Sequence, residues 1–151
     1  MFKTVVFVVF VSVFTGCYAQ KNLKFSAYNQ TFVLSLPGGY KLKKYSDDEG
    51  RREYHALYPD SSIIFITDDN TSGSALNRYK LQKYGRDIAL RINVSDTLTL
   101  EGIQSDKRYW KEKKIDKVVI GYMNIPKEKI AIFDKVLSSL NKRNRTEPNE
   151  R

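Results

Sequence analysis

Ile63-Ile64-Phe65-Ile66 is the stretch of this sequence that decides the fold. The turn-forming residues Pro59-Asp60-Ser61 precede it, and the acidic pair Asp68-Asp69 follows shortly after it. A strand with one face in water alternates polar and apolar residues, whereas this run is apolar without a break. We therefore predict a central strand over residues 62–67 that is buried on both faces.

Strands are predicted on either side of this central one. Two period-two runs flank Asn29-Gln30 and predict a hairpin. Residues 40–45 are rich in lysine, which suits an edge strand because charge discourages pairing with other chains. Three runs after residue 96 are separated by short turns and predict an antiparallel meander. The predicted strands cover residues 24–27, 31–36, 40–45, 53–58, 62–67, 97–104, 108–115 and 117–125.

Two helices complete the predicted domain. Leu81, Tyr84, Ile88 and Ile92 recur at helical spacing and predict a helix over residues 75–92. Pro126 suits the first turn of a second helix over residues 126–140. Strands, helix, strands and helix in this order predict the α+β class, an antiparallel sheet with two helices packed on it.

Phe32-Val33-Leu34-Ser35-Leu36-Pro37 and the strand, proline and helix from Ile120 to Leu140 resemble the Mog1/PsbP family. The resemblance is architectural and covers most of the domain. It implies an α/β/α sandwich and transfers no catalytic residue, because that fold hosts unrelated functions.

The start of the chain carries an export pattern. Lys3 precedes an apolar run from Val5 to Phe14 of about ten residues, whereas a membrane-spanning helix needs roughly twenty. Phe14-Thr15-Gly16-Cys17 resembles the lipobox of bacterial lipoproteins, which implies that Cys17, the only cysteine, is lipidated after cleavage. A second cleavage site stays open, because Cys17-Tyr18-Ala19 is a small-x-small pattern that predicts a cut before Gln20.

These patterns predict a domain organisation and a cellular location. We expect a signal peptide over 1–16, a tether over 17–22, a single domain over 23–140 and a disordered polar tail over 141–151. Residues 18–22 contain no acid that would retain a lipoprotein at the inner membrane. The expected location is the periplasmic face of the outer membrane, with a soluble periplasmic or secreted protein as the alternative.

The net charge of +9 restricts the expected partners. In an exported protein this charge points away from nucleic acid and towards an anionic envelope component or an envelope protein. Basic residues cluster beside Tyr109 and Trp110 on one predicted strand and its preceding turn, and we expect that strand to be exposed or at an edge. The candidate binding residues are Lys107, Arg108, Tyr109, Trp110, Lys111, Lys113 and Lys114.

Acidic residues suggest two further, weaker sites. Asp68, Asn70 and Ser72 match the first positions of an EF-hand calcium loop, but Tyr79 stands where the bidentate glutamate belongs. Asp47, Glu49 and Asp68 are the carboxylates that an envelope hydrolase could use.

Common catalytic patterns are missing from the sequence. His55 is the only histidine, and the sequence has no nucleophile elbow, phosphate loop or Cys-x-x-Cys motif. We expect His55 to have a structural role. The sequence predicts a lipid-anchored, non-enzymatic binding or assembly module without a cofactor, with the hydrolase as the alternative.

Overall fold

The structure is a computed structural model that describes residues 19–68 and 76–144. The strands are β1 (Lys21–Ala27), β2 (Gln30–Leu36), β3 (Lys41–Ser46), β4 (Arg52–Leu57), β5 (Ile63–Thr67), β6 (Thr97–Ile103), β7 (Tyr109–Ile115), β8 (Val118–Ile125) and β9 (Asn141–Asn144). The helices are α1 (Asn77–Tyr84), α2 (Ile88–Val94) and α3 (Ile130–Ser138), with a 3-10 turn at Lys127–Lys129. The predicted α+β class is confirmed, with β-structure predominating and three short α-helices among the described residues instead of two.

Six strands form the larger sheet, in the order β3-β4-β5-β8-β7-β6 with every neighbouring pair antiparallel. The prediction for the central strand is confirmed, because β5 lies inside this sheet and Ile64, Phe65 and Ile66 are buried. The lysine-rich strand β3 is an exposed edge, also as predicted. The meander of β6, β7 and β8 is confirmed as well.

The smaller sheet has the order β1-β2-β9. The predicted hairpin is confirmed, although its turn residues are Tyr28 and Asn29, not Asn29-Gln30. Both have positive φ, at 51° and 60°, which is the backbone conformation of a tight two-residue hairpin turn. Leu23 and Phe25 of β1, and the matching apolar residues of β2, point to one face and are buried.

Two apolar cores cover the two faces of the larger sheet. On one face, Ile64, Ile66 and Ile120 pack with the smaller sheet and with Phe133 of α3. On the other face, Phe65 and its neighbours pack against α1 and α2. That second core contains Phe65, Leu76, Ile88, Ile92, Leu100, Trp110 and Val119.

The helix predicted over 75–92 is two helices. Gly85 adopts a φ of 74°, and its N–H donates to the carbonyl of Leu81 to close α1. Glycine enters this left-handed region without a steric penalty, so the chain turns there and α2 begins at Ile88. Similarly, the helix predicted from Pro126 begins as the 3-10 turn and continues as α3.

Both ends of the predicted domain need correction. Lys21 and Asn22, expected in the tether, belong to β1 and pair with Leu36 and Ser35. Residues 141–144, expected in the tail, form β9, because the outer edge of β2 supplies partners for their backbone. Residues 1–18, with the predicted signal peptide and Cys17, and residues 145–151 lie outside the described part of the chain. None of the described helices is long and apolar enough to cross a membrane.

Candidate functional site

The basic strand predicted as a binding surface is an interior strand. β7 lies between β8 and β6, so the expectation that it is exposed or at an edge is wrong. Trp110 is 1% exposed and Lys114 is 6% exposed, both on the face that α1 and α2 cover. Polar partners make this burial possible: Lys114 donates to the carbonyl of Ile92, and Glu112 pairs with Lys80.

The opposite face of β7 is also occupied. The Nζ of Lys111 lies 2.8 Å from Asp134 Oδ1 and 3.1 Å from Glu101 Oε2. Burial alone would lower the pKa of Lys111, but the hydrogen bonds to these carboxylates raise it, so the ammonium stays charged and neutralised. Tyr109 packs against the core that contains Ile64 and Phe133, and Lys113 is half-buried.

The preceding turn completes the set of seven candidates. Arg108 donates from Nη1 to the carbonyls of Asp60 and Asn124, at 2.8 Å and 2.7 Å. Lys107 is exposed at a turn position with a φ of 64°. The seven candidate residues therefore divide between two faces of the sheet and a turn, and most of them hold the fold together.

Arginines engage the carboxylates of the alternative enzyme hypothesis. Asp47 accepts hydrogen bonds from the Arg51 side chain and from the N–H groups of Arg51 and Glu49, and Glu49 lies 3.3 Å from Arg51. The side-chain hydrogen bond from Arg51 is the main cause of the lowered pKa of Asp47. Arg51 therefore offsets part of the negative charge of this loop.

Asp68, shared by the hydrolase and calcium hypotheses, is buried against Arg52. The Arg52 N–H donates to Oδ1 at 2.6 Å, and its guanidinium donates to Oδ2 at 3.1 Å and 2.8 Å. A metal ion would have to displace this guanidinium. Asn70 and Ser72 lie outside the described residues, and the residues that are described include no group of three or more potential metal-ligating side chains.

His55 lies between aromatic rings on β4. Its Nε2 is 2.5 Å from Glu53 Oε1, and its ring centroid is 5.0 Å from that of Tyr45 and 6.4 Å from that of Phe65. The imidazole therefore takes part in the packing between β3, β4 and β5.

An apolar cleft of about 230 Å³ lies where three separate parts of the chain meet. They are the turn after β2, the turn between β4 and β5, and the start of α3. The cleft is lined by Pro37, Gly38, Gly39, Tyr58, Pro59, Asp60, Lys129, Ile132 and Phe133.

Tyr58 and Phe133 form the apolar side of the cleft. Their rings meet edge to face with centroids 5.5 Å apart, and the Tyr58 hydroxyl donates to the carbonyl of Pro37 at 3.0 Å. Burial raises the pKa of Tyr58, so its hydroxyl remains protonated and keeps this bond. Gly39 has a φ of 86° and no other atom near its Cβ position, so the rim is open on that side.

One ion pair forms the polar rim. Lys129 Nζ lies 2.5 Å from Asp60 Oδ2, and the N–H of Ser62 donates to Oδ1 at 3.0 Å. Burial by itself would raise the pKa of Asp60, but the hydrogen bonds from Lys129 and Ser62 outweigh it and lower the pKa to about 2. Asp60 is therefore an anion held in place at neutral pH.

The lining of the cleft is mostly apolar, with its polar groups at the rim. Its lining combines aromatic and aliphatic side chains with a few polar groups at the rim, as in many binding sites. The sequence indicates Pro59-Asp60-Ser61 only as a turn and gives no sign of the cleft. A local signal could not reveal it, because Phe133 reaches these turns only through the packing of α3.

Comparison of the chain with protein-family models, with curated proteins and with solved structures found no match.

Proposed function

We propose that this chain is an exported, lipid-anchored envelope protein that acts as a non-enzymatic binding module through the cleft beside Tyr58. The observation that carries the proposal is the apolar lining of the cleft, with a single ion pair at its rim. The alternative, an envelope hydrolase using Asp47, Glu49 or Asp68, has less support because arginines engage each of these carboxylates.

Export and anchoring rest on the first residues of the sequence. Lys3, the apolar run to Phe14 and the lipobox-like Phe14-Thr15-Gly16-Cys17 support lipidation of Cys17 and a place on the periplasmic face of the outer membrane. Palmitate labelling of the wild-type chain should be lost in Cys17→Ser. A soluble, unlabelled mature protein that begins at Gln20 would contradict lipid anchoring.

The finer fold assignment is also a proposal. An antiparallel sheet with helices against one face, and α3 with the smaller sheet against the other, supports a Mog1/PsbP-like arrangement. Nothing about the ligand follows from it, because function depends on the site and not on the fold.

The ligand of the cleft is an apolar or aromatic side chain of an envelope partner. Ile132 is 47% exposed beside Phe133, so an apolar group entering the cleft would bury additional surface against both. Polar groups flanking that side chain would meet the Asp60–Lys129 pair. A small polar metabolite fits this lining poorly.

Site-specific photocrosslinking in the native membrane tests the cleft. A photoreactive amino acid at Ile132 should give a discrete adduct, and one at Ile103, 60% exposed and away from the cleft, should not. Gly39→Asn should weaken the adduct at position 132, because asparagine tolerates positive φ and narrows the open rim. Equal adducts at positions 132 and 103, or no effect of Gly39→Asn, would contradict binding in the cleft.

A further inference from the structure

Helix α2 has apolar side chains on both of its faces. Ile88 and Ile92 point inwards and are 2% and 6% exposed. Leu90 and Val94, one helical turn apart, point away from the sheet and are 67% and 81% exposed. The packing of the described residues therefore leaves an aliphatic pair of α2 in solvent.

Several cationic residues belong to α1, to α2 or to the turn between them, and so lie on the same side of the larger sheet as Leu90 and Val94. Arg78, Lys83, Arg86 and Arg91 are exposed, and Asp87 is the only acid between positions 76 and 94. Within the described residues, neither Arg78 nor Arg86 nor Arg91 forms an ion pair. Lys83 uses its ammonium on the carbonyl of Glu101.

Two buried lysines hold the helices in place. Lys80 of α1 pairs with Glu112, and Lys114 of β7 donates to the carbonyl of Ile92 near the C-terminal end of α2. A cation is favourable at that end of a helix because the last carbonyls carry partial negative charge. The outward residues of α2 are therefore presented in a fixed orientation.

We propose that this helical layer docks onto an anionic lipid bilayer. We call the surface the helical face and define it by Arg78, Arg86, Leu90, Arg91 and Val94. Aliphatic residues flanked by cations match the boundary between acyl chains and anionic headgroups, where such helices bind parallel to the membrane. A bilayer can bury Leu90 and Val94 among its acyl chains without a shape-complementary groove. The charges of an acidic protein partner would pair with the arginines but would not bury these two aliphatic side chains.

The inference does not depend on the cleft or on lipidation of Cys17. If Cys17 is lipidated, docking would orient the domain with the helical face towards the membrane. The test therefore uses the full chain with Cys17→Ser, which removes any acyl anchor and leaves labelled positions as the only cysteines.

Fluorescence on vesicles tests the proposal directly. In the Cys17→Ser chain, an environment-sensitive dye on Val94→Cys should shift to the blue with vesicles of mixed phosphatidylglycerol and phosphatidylcholine. The shift should be weak with phosphatidylcholine alone and should diminish with added salt. The control carries the dye on Leu42→Cys. Leu42 is 39% exposed on β3, at the edge of the larger sheet opposite to β6, and the dye there should not respond. No shift at position 94, or equal shifts at both positions, would overturn the proposal.

Charge reversal separates docking from a general effect of net charge. Arg86→Glu/Arg91→Glu should lower vesicle affinity by roughly tenfold to a hundredfold. The matched control Lys41→Glu/Lys43→Glu makes the same charge change on β3 and should have a much smaller effect. Circular dichroism should show both variants folded, because all four residues are exposed. Equal losses of affinity in the two variants would contradict docking through the helical face.

Discussion

Lys80 and Glu112 form an ion pair inside the protein. The Nζ of Lys80 lies 2.8 Å from Oε1 of Glu112, and the two side chains are only 1% and 4% exposed. The pair joins α1 to β7, beside Trp110. Such a pair adds little net stability, because removing both charges from water costs about as much as their attraction returns. Each of the two charges is nevertheless tolerated in the interior only because the other one is beside it.

Breaking this pair on one side should destabilise the protein strongly. Lys80→Met should lower the free energy of unfolding by about 3–5 kcal/mol, because it leaves the Glu112 carboxylate buried without its cation. The double variant Lys80→Met/Glu112→Leu should lose much less than the sum of the two single changes. Urea unfolding of the four chains measures this coupling, and strictly additive losses would show that the two side chains act independently.

Gly121 should be intolerant of any side chain. A Cβ at this position would lie 2.5 Å from the carbonyl oxygen of Lys111 and against the ring of Phe65. We expect Gly121→Ala to cost about 2–3 kcal/mol of stability, since β5, β7 and β8 are packed too tightly to separate.

Gly50→Ala is the matched control for this change. Gly50 has no atom near its Cβ position, but its φ is 76°, so the substitution should cost only about 1 kcal/mol of backbone strain. Thermal or urea unfolding compares the two variants. A larger loss in Gly50→Ala would refute the packing explanation.

The Asp60–Lys129 pair should make stability depend on pH in the acid range. Asp60 has a pKa of about 2 in the folded chain and an ordinary value of 3.8. Because the folded pKa is the lower one, the carboxylate stabilises the fold above about pH 4, and this contribution disappears as the pH falls towards 2. With allowance for solvent around the pair, it amounts to about 1–2 kcal/mol.

Asp60→Asn measures that contribution. The variant should be less stable than the wild type at pH 5, and the difference should shrink as the pH is lowered to 3, which urea titrations at each pH can follow. A difference that stays constant over this range would mean that Asp60 acts through packing and not through its charge.

Trp110 should report on the core beneath α1 and α2. It is the only tryptophan, it is 1% exposed, and the ring of Tyr84 is 6.5 Å away in an edge-to-face arrangement. Its emission should be shifted to the blue in the folded chain, with weak quenching by acrylamide. Urea should shift the emission to the red and increase quenching. Strong quenching before unfolding would mean that Trp110 lies on the surface.

Local patterns were sufficient to predict much of the fold. The run of apolar residues around Phe65 and the period-two strands depend on near neighbours in the chain, so the sequence alone indicates them. Helix boundaries were less accurate, because the stripe from Leu81 to Ile92 does not show that Gly85 adopts a positive φ.

The site residues required long-range information. The residues around Trp110 do not show that Lys80 lies opposite Glu112, so the sequence predicts a polar, exposed strand for β7. In the structure two of its polar side chains are buried: Glu112 pairs with Lys80, and Lys114 donates to the carbonyl of Ile92. The cleft, likewise, depends on Phe133 reaching Tyr58. Such pairings come from the tertiary packing of distant segments, and no single segment encodes them.

The late position of β9 in the chain has a consequence for biosynthesis. β2 pairs with β9 as well as with β1, and Thr31 lies opposite Arg143. A ribosome releases β2 long before it has made residue 144, so the nascent chain carries an unpaired strand edge during the synthesis of the roughly one hundred residues between β2 and β9. The smaller sheet can close only after residues 141–144 have been made, and until then the outer edge of β2 is open to pairing with another chain.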